Sequence, residues 1–380
     1  MTSGGRATVV VVGGGILGTT HALWALEHDF EVVHVEREPA ARGASVRNFG
    51  LVWVGGRAGG PELDLAVRAR RLWEALAKEV QGVGFRPAGS LTLATTGPEL
   101  ALMKEAMARD DMAARQWELL DGPQSREVNP ELSSAVAGAL YCRADALVEP
   151  RAATHAIQAY MAQKSGYRWL PGRAVVEAAR GAVRDDTGAW HGGDWVFLCT
   201  GANYAGLLAQ YVERPPTRRV RLQMLETAPY PGRLTTALAD GDSMRYYPAF
   251  DLPGRAALGQ QDEIGAQAHA QLLVAQRLDG SLTVGDTHDY DEPFPFDVEE
   301  PVYQHLVAKA GQLLREPVPP VRRRWAGVYS EMIDKDRHLY WREEILPRVE
   351  VVNGPGGRGM TCAPAIAEAS IRALDPDAGP

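Results

Sequence analysis

Apolar residues along the chain arrive in short blocks cut by glycine, proline or charge. Val9–Val12 is an unbroken apolar run of strand length, Ile16–Glu27 after the turn reads as a helix, and Glu31–Glu36 reads as a second strand, so the chain opens as a βαβ unit. From Pro61 to Val80, Leu65, Leu72, Trp73, Leu76 and Val80 fall on one stripe, which predicts an amphipathic helix. Gly89–Thr95 alternates like a strand, Pro98–Leu120 has helical spacing, and Arg151–Lys164 is a further helix after the turn Val148-Glu149-Pro150. Trp195–Cys199 reads as a buried strand entering Thr200-Gly201-Ala202, with a helix to Tyr211. After the break at Pro215-Pro216, the runs Arg221–Glu226, Met244–Tyr247, Ala256–Gly259 and Ser281–Val284 predict strands. A second break at Pro317–Pro320 precedes strand Val349–Val352, a glycine-rich loop and helix Ala363–Leu374.

Nucleotide-type elements therefore stand at the start, middle and end of the chain. The expected fold class is α/β + β: a discontinuous Rossmann-like domain of residues 1–85, 146–215 and 325–380, with an inserted, mainly antiparallel β domain of residues 86–145 and 216–324.

The first turn carries Gly13, Gly15 and Gly18 in G-x-G-x-x-G spacing, directly after a strand and opening a helix. Such glycines serve a tight turn, the approach of backbone to a pyrophosphate, and close packing of helix on sheet. The helix N-terminus offers free N–H groups and a partial positive charge to phosphate. Glu36 ends the second strand, where a carboxylate can accept from ribose hydroxyls, and its charge disfavours a 2′-phosphate. Asp29 occupies a turn where glycine is common, so a left-handed or turn conformation is expected there.

Charge and cysteine content narrow the picture. The net charge of −8 is spread along 380 residues without a basic run, which argues against nucleic acid as a partner. Three cysteines, Cys142, Cys199 and Cys362, stand far apart and suggest neither a disulfide framework nor a metal site. No apolar stretch approaches the roughly 20 residues of a membrane helix, and the start lacks a signal-peptide core, so a cytoplasmic location is expected.

Three further segments carry a resemblance. Arg42-Gly43-Ala44-Ser45-Val46-Arg47-Asn48-Phe49-Gly50, Leu198-Cys199-Thr200-Gly201-Ala202-Asn203 and Asn353-Gly354-Pro355-Gly356-Gly357-Arg358-Gly359-Met360-Thr361 follow one another as in the D-amino-acid oxidase, glycine oxidase and sarcosine oxidase superfamily. The resemblance implies FAD as cofactor. It places Gly13, Gly15, Ile16, Leu17, Gly18, Glu36, Arg37, Ala44, Ser45, Arg47, Asn48, Val175, Thr200, Gly201, Gly357, Arg358, Gly359, Met360 and Thr361 against it. It also implies hydride transfer from the carbon beside an amine to flavin N5, followed by hydrolysis of the imine. That chemistry requires alignment and a neutral amine more than a strong base, and no catalytic side chain need be assigned. The segment near Ser45 has no histidine and Val328–Met332 no cysteine, so non-covalent FAD is expected, with Cys362 a buried helix residue.

Two departures bear on substrate. In Arg324-Trp325-Ala326-Gly327-Val328-Tyr329-Ser330, tyrosine and serine stand where carboxylate-binding relatives carry arginine. Ala256-Ala257-Leu258-Gly259 has alanine where the sarcosine-oxidase branch carries its oxygen-activating lysine, which leaves the electron acceptor open between O2 and another carrier. The segments around Ser45, Trp325 and Met360 resemble a subgroup linked to breakdown of 2-aminoethylphosphonate-like compounds and their N-methyl derivatives. An anionic amine is thus the expected substrate, with Arg245, Tyr247, Arg324, Tyr329, Arg358, His288 and Asn48 as candidates to bind it. Arg47 is a further arginine open to either cofactor or substrate. A D-amino-acid, sarcosine or glycine oxidase or dehydrogenase is the alternative. A flavin-binding component of a larger complex is another, and an NAD-dependent dehydrogenase would share only the opening motif.

Overall fold

The computed structural model describes residues 6–335 and 337–374. Two large sheets organise them. The first contains, in spatial order, Trp341–Leu346, Val349–Asn353, Trp195–Leu198, Thr8–Val12, Glu31–Glu36 and Tyr167–Pro171. All neighbours are parallel except the edge pair Trp341–Leu346 and Val349–Asn353. Its central strand, Thr8–Val12, is buried from Val9 to Val12, as a strand covered on both faces must be. Helix Ile16–Glu27 is buried on several sides because it packs on this sheet and against the C-terminal helix Gly359–Arg372.

The second sheet orders Val321–Met332, Thr217–Pro229, Ser281–Gly285, Leu273–Gln276, Ala237–Ala239, Ser90–Ala94, Gly138–Cys142 and Trp117–Asp121. Every pairing is antiparallel except that of Ala237–Ala239 with Ser90–Ala94. The expected mixed α/β and antiparallel β fold is thus the one observed.

Several local expectations fail. Pro98–Leu120 is not one helix: Gly97–Ala106 and Met112–Arg115 are helical, Gln116 turns left-handed at φ 54°, and Trp117–Asp121 is an edge strand. Met244–Tyr247 is no strand, since Ser243–Tyr246 is a helical turn, and Ala256–Gly259 lies largely in the 3-10 segment Pro253–Leu258. The latter run therefore offers no β-strand register for comparison with an oxygen-activating lysine. The expected helix to Tyr211 is only the 3-10 turn Leu208–Gln210. Val321–Met332 pairs with Thr217–Pro229 along nearly its whole length, so residues 325–332 belong to the antiparallel sheet rather than the parallel one. Asp29 takes the left-handed turn expected of it, at φ 62°.

The C-terminal helix begins at Gly359, four residues before Ala363, and so contains Pro364. Proline has no N–H to give to Met360 four residues back. That carbonyl accepts instead from Trp73 Nε1 at 3.0 Å, the indole of a wholly buried residue on helix Pro61–Glu79. An interior proline is tolerated because a neighbouring helix satisfies the freed acceptor.

Candidate active site

A cleft of about 1580 Å³ is lined by residues from both sheets and from the loops at the ends of the parallel strands. Ordinary small-ligand pockets occupy roughly 300–1000 Å³, so this one has room for a large cofactor together with a small molecule.

At one end stands the glycine turn. A Cβ at Gly13 would collide with the Cys199 carbonyl, and one at Gly18 with the Gly13 carbonyl. Both glycines serve close packing of turn, helix and strand. Gly15 differs: a Cβ there would meet only Ser45 Oγ, at 3.0 Å, and otherwise face the cleft. Ser45 Oγ accepts from Ile16 N at 2.8 Å at the start of the first helix. Glu36 accepts from Gly14 N through one oxygen and from Glu38 N at 2.9 Å through the other. His34 Nε2 lies 2.9 Å from the Gly13 carbonyl, and burial pushes its pKa down to about 4, so the ring is neutral and holds the turn by donating to it. Thr200 Oγ1 is buried without a partner on the same side of the cleft.

At the other end, the loop Trp53–Arg57 is held from two directions. Asp145, fully buried, accepts from Val54 N at 2.5 Å, Gly55 N at 2.9 Å and Ser90 Oγ at 2.6 Å. Arg115, also fully buried, donates to the Gly55 carbonyl at 2.8 Å while paired with Asp111. The loop delivers Arg57, whose Nε donates to the Trp53 carbonyl at 2.9 Å and whose Nη2 donates to Thr361 Oγ1 at 3.3 Å. Arg57, Glu62 and Arg358 are each less than a tenth exposed and line the cleft together. Arg358 Nε lies 2.9 Å from Glu62 Oε1, and Arg57 Nη1 lies 3.9 Å from the same oxygen. Arg358 Nη2 donates to Glu62 Oε2 at 3.3 Å, while the Nε beside Oε1 lacks hydrogen-bond alignment. Two guanidinium groups share one carboxylate, which leaves one buried positive charge uncompensated within the cluster.

Tyr246, Tyr247, Gln271, Asp286, His288 and Tyr329 complete this end. Trp53 and Tyr247 pack with ring centroids 5.2 Å apart, and the Tyr246 and His288 rings stack at 4.2 Å. Trp53 Nε1, Gln271 Oε1, Asp286 Oδ1 and Tyr329 Oη are all buried without partners. Four orphaned polar atoms on one wall are far from the usual satisfaction of buried groups, and they suit a polar ligand.

Residues 8–372 match the family model described as FAD dependent oxidoreductase, DAO. The chain belongs to this family. The fold agrees with that of glycine oxidase from Bacillus cereus ATCC 14579, with a TM-score of 0.77, 19% identity and 97% of each chain covered. L-alpha-glycerophosphate oxidase from Mycoplasma pneumoniae, solved with FAD bound, superposes with a TM-score of 0.76 at 16% identity over 97% of this chain and 95% of that one. An opine oxidase subunit from Rhizobium meliloti is 29% identical over 172 residues, 42% of this chain and 46% of that protein. The match thus spans less than half the length of that curated relative.

FAD, the two-electron acceptor of this oxidoreductase, fits the cleft by its size, by the open space at Gly15 and by the unpartnered Thr200 hydroxyl. Of the residues expected against the cofactor, Gly13, Gly15, Ile16, Leu17, Glu36, Arg37, Ala44, Ser45, Arg47, Asn48, Val175, Thr200, Gly201, Gly357, Arg358, Gly359 and Met360 line the cleft. Gly18 and Thr361 do not. Gly18 packs beneath the turn, and the Thr361 hydroxyl accepts from Trp53 N at 2.9 Å, tying the C-terminal helix to the Trp53–Arg57 loop.

The expected substrate residues divide. Tyr247, Tyr329, His288 and Arg358 meet at the inner end of the cleft. Arg324 does not reach it: the side chain pairs with Glu300 at 2.9 Å and lies over the Tyr303 ring. Arg245 touches the cleft, but its three nitrogens donate to Asp242, the Gly259 carbonyl and the Leu258 carbonyl, so it braces a turn. The Asn48 amide donates to the Ala44 and Ser45 carbonyls and accepts from Gly50 N, which fixes its own loop. Tyr246 and Tyr247 both face the cleft, because they leave a helical turn rather than alternate along a strand. Sequence reasoning missed Arg57, Glu62, Gln271 and Asp286. The signal for Arg57 was a charged residue inside the glycine-dense stretch Gly55-Gly56-Arg57-Ala58-Gly59-Gly60. Asp286 stands two residues before His288, in a run with no motif of its own.

Proposed function

We propose that this flavoenzyme oxidises a C–N bond of a small anionic amine, and that its substrate is an aminophosphonate such as 2-aminoethylphosphonate or its N-methyl derivative. The carrying observation is the buried Arg57–Glu62–Arg358 cluster, which lines the cleft with two guanidinium groups against one carboxylate. An unpaired buried charge is costly unless a counter-ion arrives, and a phosphonate supplies up to two negative charges over three oxygens. FAD is held without a covalent link by the glycine-turn residues at the opposite end, and electrons leave to O2 or to another carrier. The sequence features point to the cytoplasm as the place of action, and no helix among the described residues is long and apolar enough to cross a membrane.

A second reading is an amine bearing a carboxylate, since the same cluster accepts that group and glycine oxidase shares the fold. The partial likeness to the opine oxidase component favours work within a larger complex as a further form of the same chemistry. Anaerobic flavin bleaching across glycine, sarcosine, D-alanine, 2-aminoethylphosphonate and its N-methyl derivative separates these. Fastest reduction by an aminophosphonate is expected. Faster reduction by D-alanine or sarcosine removes the phosphonate assignment, and absence of reduction by any amine removes the amine-oxidation reading.

A further inference from the structure

Among the carboxylates that line the cleft without a role above, Asp251 and Glu331 are paired with arginine and Asp286 is not. Asp286 follows strand Ser281–Gly285, and its backbone is fixed by a reciprocal pair of bonds with Gln271, at 2.9 and 3.1 Å. The residue is 6% exposed, lines the cleft, and has Oδ1 buried with no partner. His288 and the Gln271 side chain offset part of the cost of burying the carboxylate, but Oδ1 itself has lost water without gaining a donor, a state folded proteins avoid unless a ligand completes it. The ligand must be a donor, because an ionised carboxylate only accepts. The described residues put no Lys or Arg within ion-pair distance of it, unlike the buried acids Glu62, Glu149, Glu226 and Asp185; Asp145, also without one, accepts three hydrogen bonds instead.

Tyr247 links Asp286 to the arginine cluster. Burial raises the phenol pKa, the Asp286 charge raises it further and the Arg57 charge lowers it, so both charges act on one ring. The inner end of the cleft is therefore polarised, cationic at Arg57 and Arg358 and anionic at Asp286.

We infer that Asp286 receives the ammonium group of the substrate and takes its proton before oxidation. The inference rests on the small-amine reading above. In the step, an N–H bond of the ammonium breaks, an O–H bond forms at Asp286 Oδ1, and the electron pair stays on nitrogen. No oxidation occurs in it. It yields the neutral amine whose lone pair the later loss of hydride requires. Burial raises the Asp286 pKa against the opposing effect of His288, which brings acid and amine closer in proton affinity than in water. The titratable groups that face Asp286 are His288, Tyr247, Tyr290 and Tyr329.

The test uses FAD-loaded protein and matched ligand pairs that differ only by the amine: 2-aminoethylphosphonate with ethylphosphonate, and glycine with acetate. Binding is read from perturbation of the flavin absorbance. Wild type is expected to prefer the amine-bearing member of at least one pair at neutral pH and to lose that preference as acid protonates Asp286, a readout that needs no variant. Asp286→Asn should bind the amine-free member as wild type does, lose the preference by about tenfold or more, and reduce its flavin on the order of a hundredfold more slowly. Its rate should recover as pH rises toward the pKa of the free amine. Asp286→Ala, measured the same way, covers a failure of the asparagine variant to fold. Retention of the preference and of the wild-type pH profile in a folded variant overturns the assignment, as does absence of any preference in wild type. Failure of the amine-oxidation reading has a different signature: wild-type flavin stays oxidised with every amine, whatever the binding comparison shows.

Discussion

Replacing Arg57 with methionine probes the anion end of the cleft with the least collateral damage. The substitution keeps the length of an apolar stem and removes the guanidinium. Glu62 is not orphaned, because Arg358 Nε remains 2.9 Å from it. The Trp53 carbonyl loses one donor, worth about 1 kcal/mol, and the loop stays held by Asp145 and Arg115. The protein should therefore fold and retain FAD. Binding is another matter. The cluster's positive excess falls to zero, and loss of a desolvated charge partner costs about 2–5 kcal/mol. At about 1.4 kcal/mol per decade this is roughly 30- to 4000-fold in half-saturation. Anaerobic stopped-flow reduction, followed at the flavin band with an aminophosphonate and with an amine lacking the anion, measures it. The first substrate should weaken by that factor and the second should not. Arg57→Lys should recover part of the loss, since it restores charge without the planar fork. Arg324→Met is the control, because Arg324 pairs with Glu300 outside the cleft. Wild-type half-saturation in the Arg57 variant, or equal losses at Arg57 and Arg324, would refute the placement of the anion site.

Three further outcomes are expected. Gly15→Val should give folded, colourless protein, because its side chain enters cleft space and meets only Ser45, whereas Gly18→Val should fail to fold against the Gly13 carbonyl; flavin absorbance and melting curves read both. Acid precipitation should release all flavin to the supernatant, and colour retained in the washed pellet would reveal a covalent link. Burial pushes His21 and His34 down to about 4 from 6.5, so each contributes stability that is full above pH 6.5 and lost, by about 3 kcal/mol, as pH falls to 4. Asp240, pushed up to about 7 by burial, acts in the opposite sense, its destabilising ionisation growing from about pH 4 to pH 7. Urea unfolding at about pH 7.5 and about pH 4.5 should thus show a smaller acid loss in His34→Gln than in wild type, and an unchanged slope would count against the histidine account.

The opening βαβ unit was legible because local signals agreed: an apolar strand, glycines at G-x-G-x-x-G spacing where a Cβ cannot fit at Gly13 and Gly18, and a helix following at once. Pro98–Leu120 misled because its apolar spacing continues past the point where Gln116 turns left-handed, and spacing does not register a change of backbone sign. The start of the C-terminal helix was misjudged for a tertiary reason: Pro364 marks an end unless something distant, here Trp73, takes the carbonyl it abandons. The glycine-turn end of the cleft was readable since backbone turns form it. The inner end was not. Arg57 and Asp286 line one cleft and act on the same Tyr247 ring although 229 residues separate them, and neither has a local pattern to announce it.

The parallel sheet also has an implication for biosynthesis. Its strand Val349–Asn353 pairs beside Trp195–Leu198, which in turn pairs beside Thr8–Val12, and the loop Gly357–Met360 lines the same cleft as the opening turn from more than 330 residues further along the sequence. A ribosome that has released the first 340 residues has made every glycine of the opening turn, but not the strand and loop that complete the sheet and the cleft. Contacts so distant in sequence form late and slowly. Flavin uptake by this protein consequently awaits synthesis of residues 349–360, and the nascent chain must wait with this cleft incomplete until they arrive.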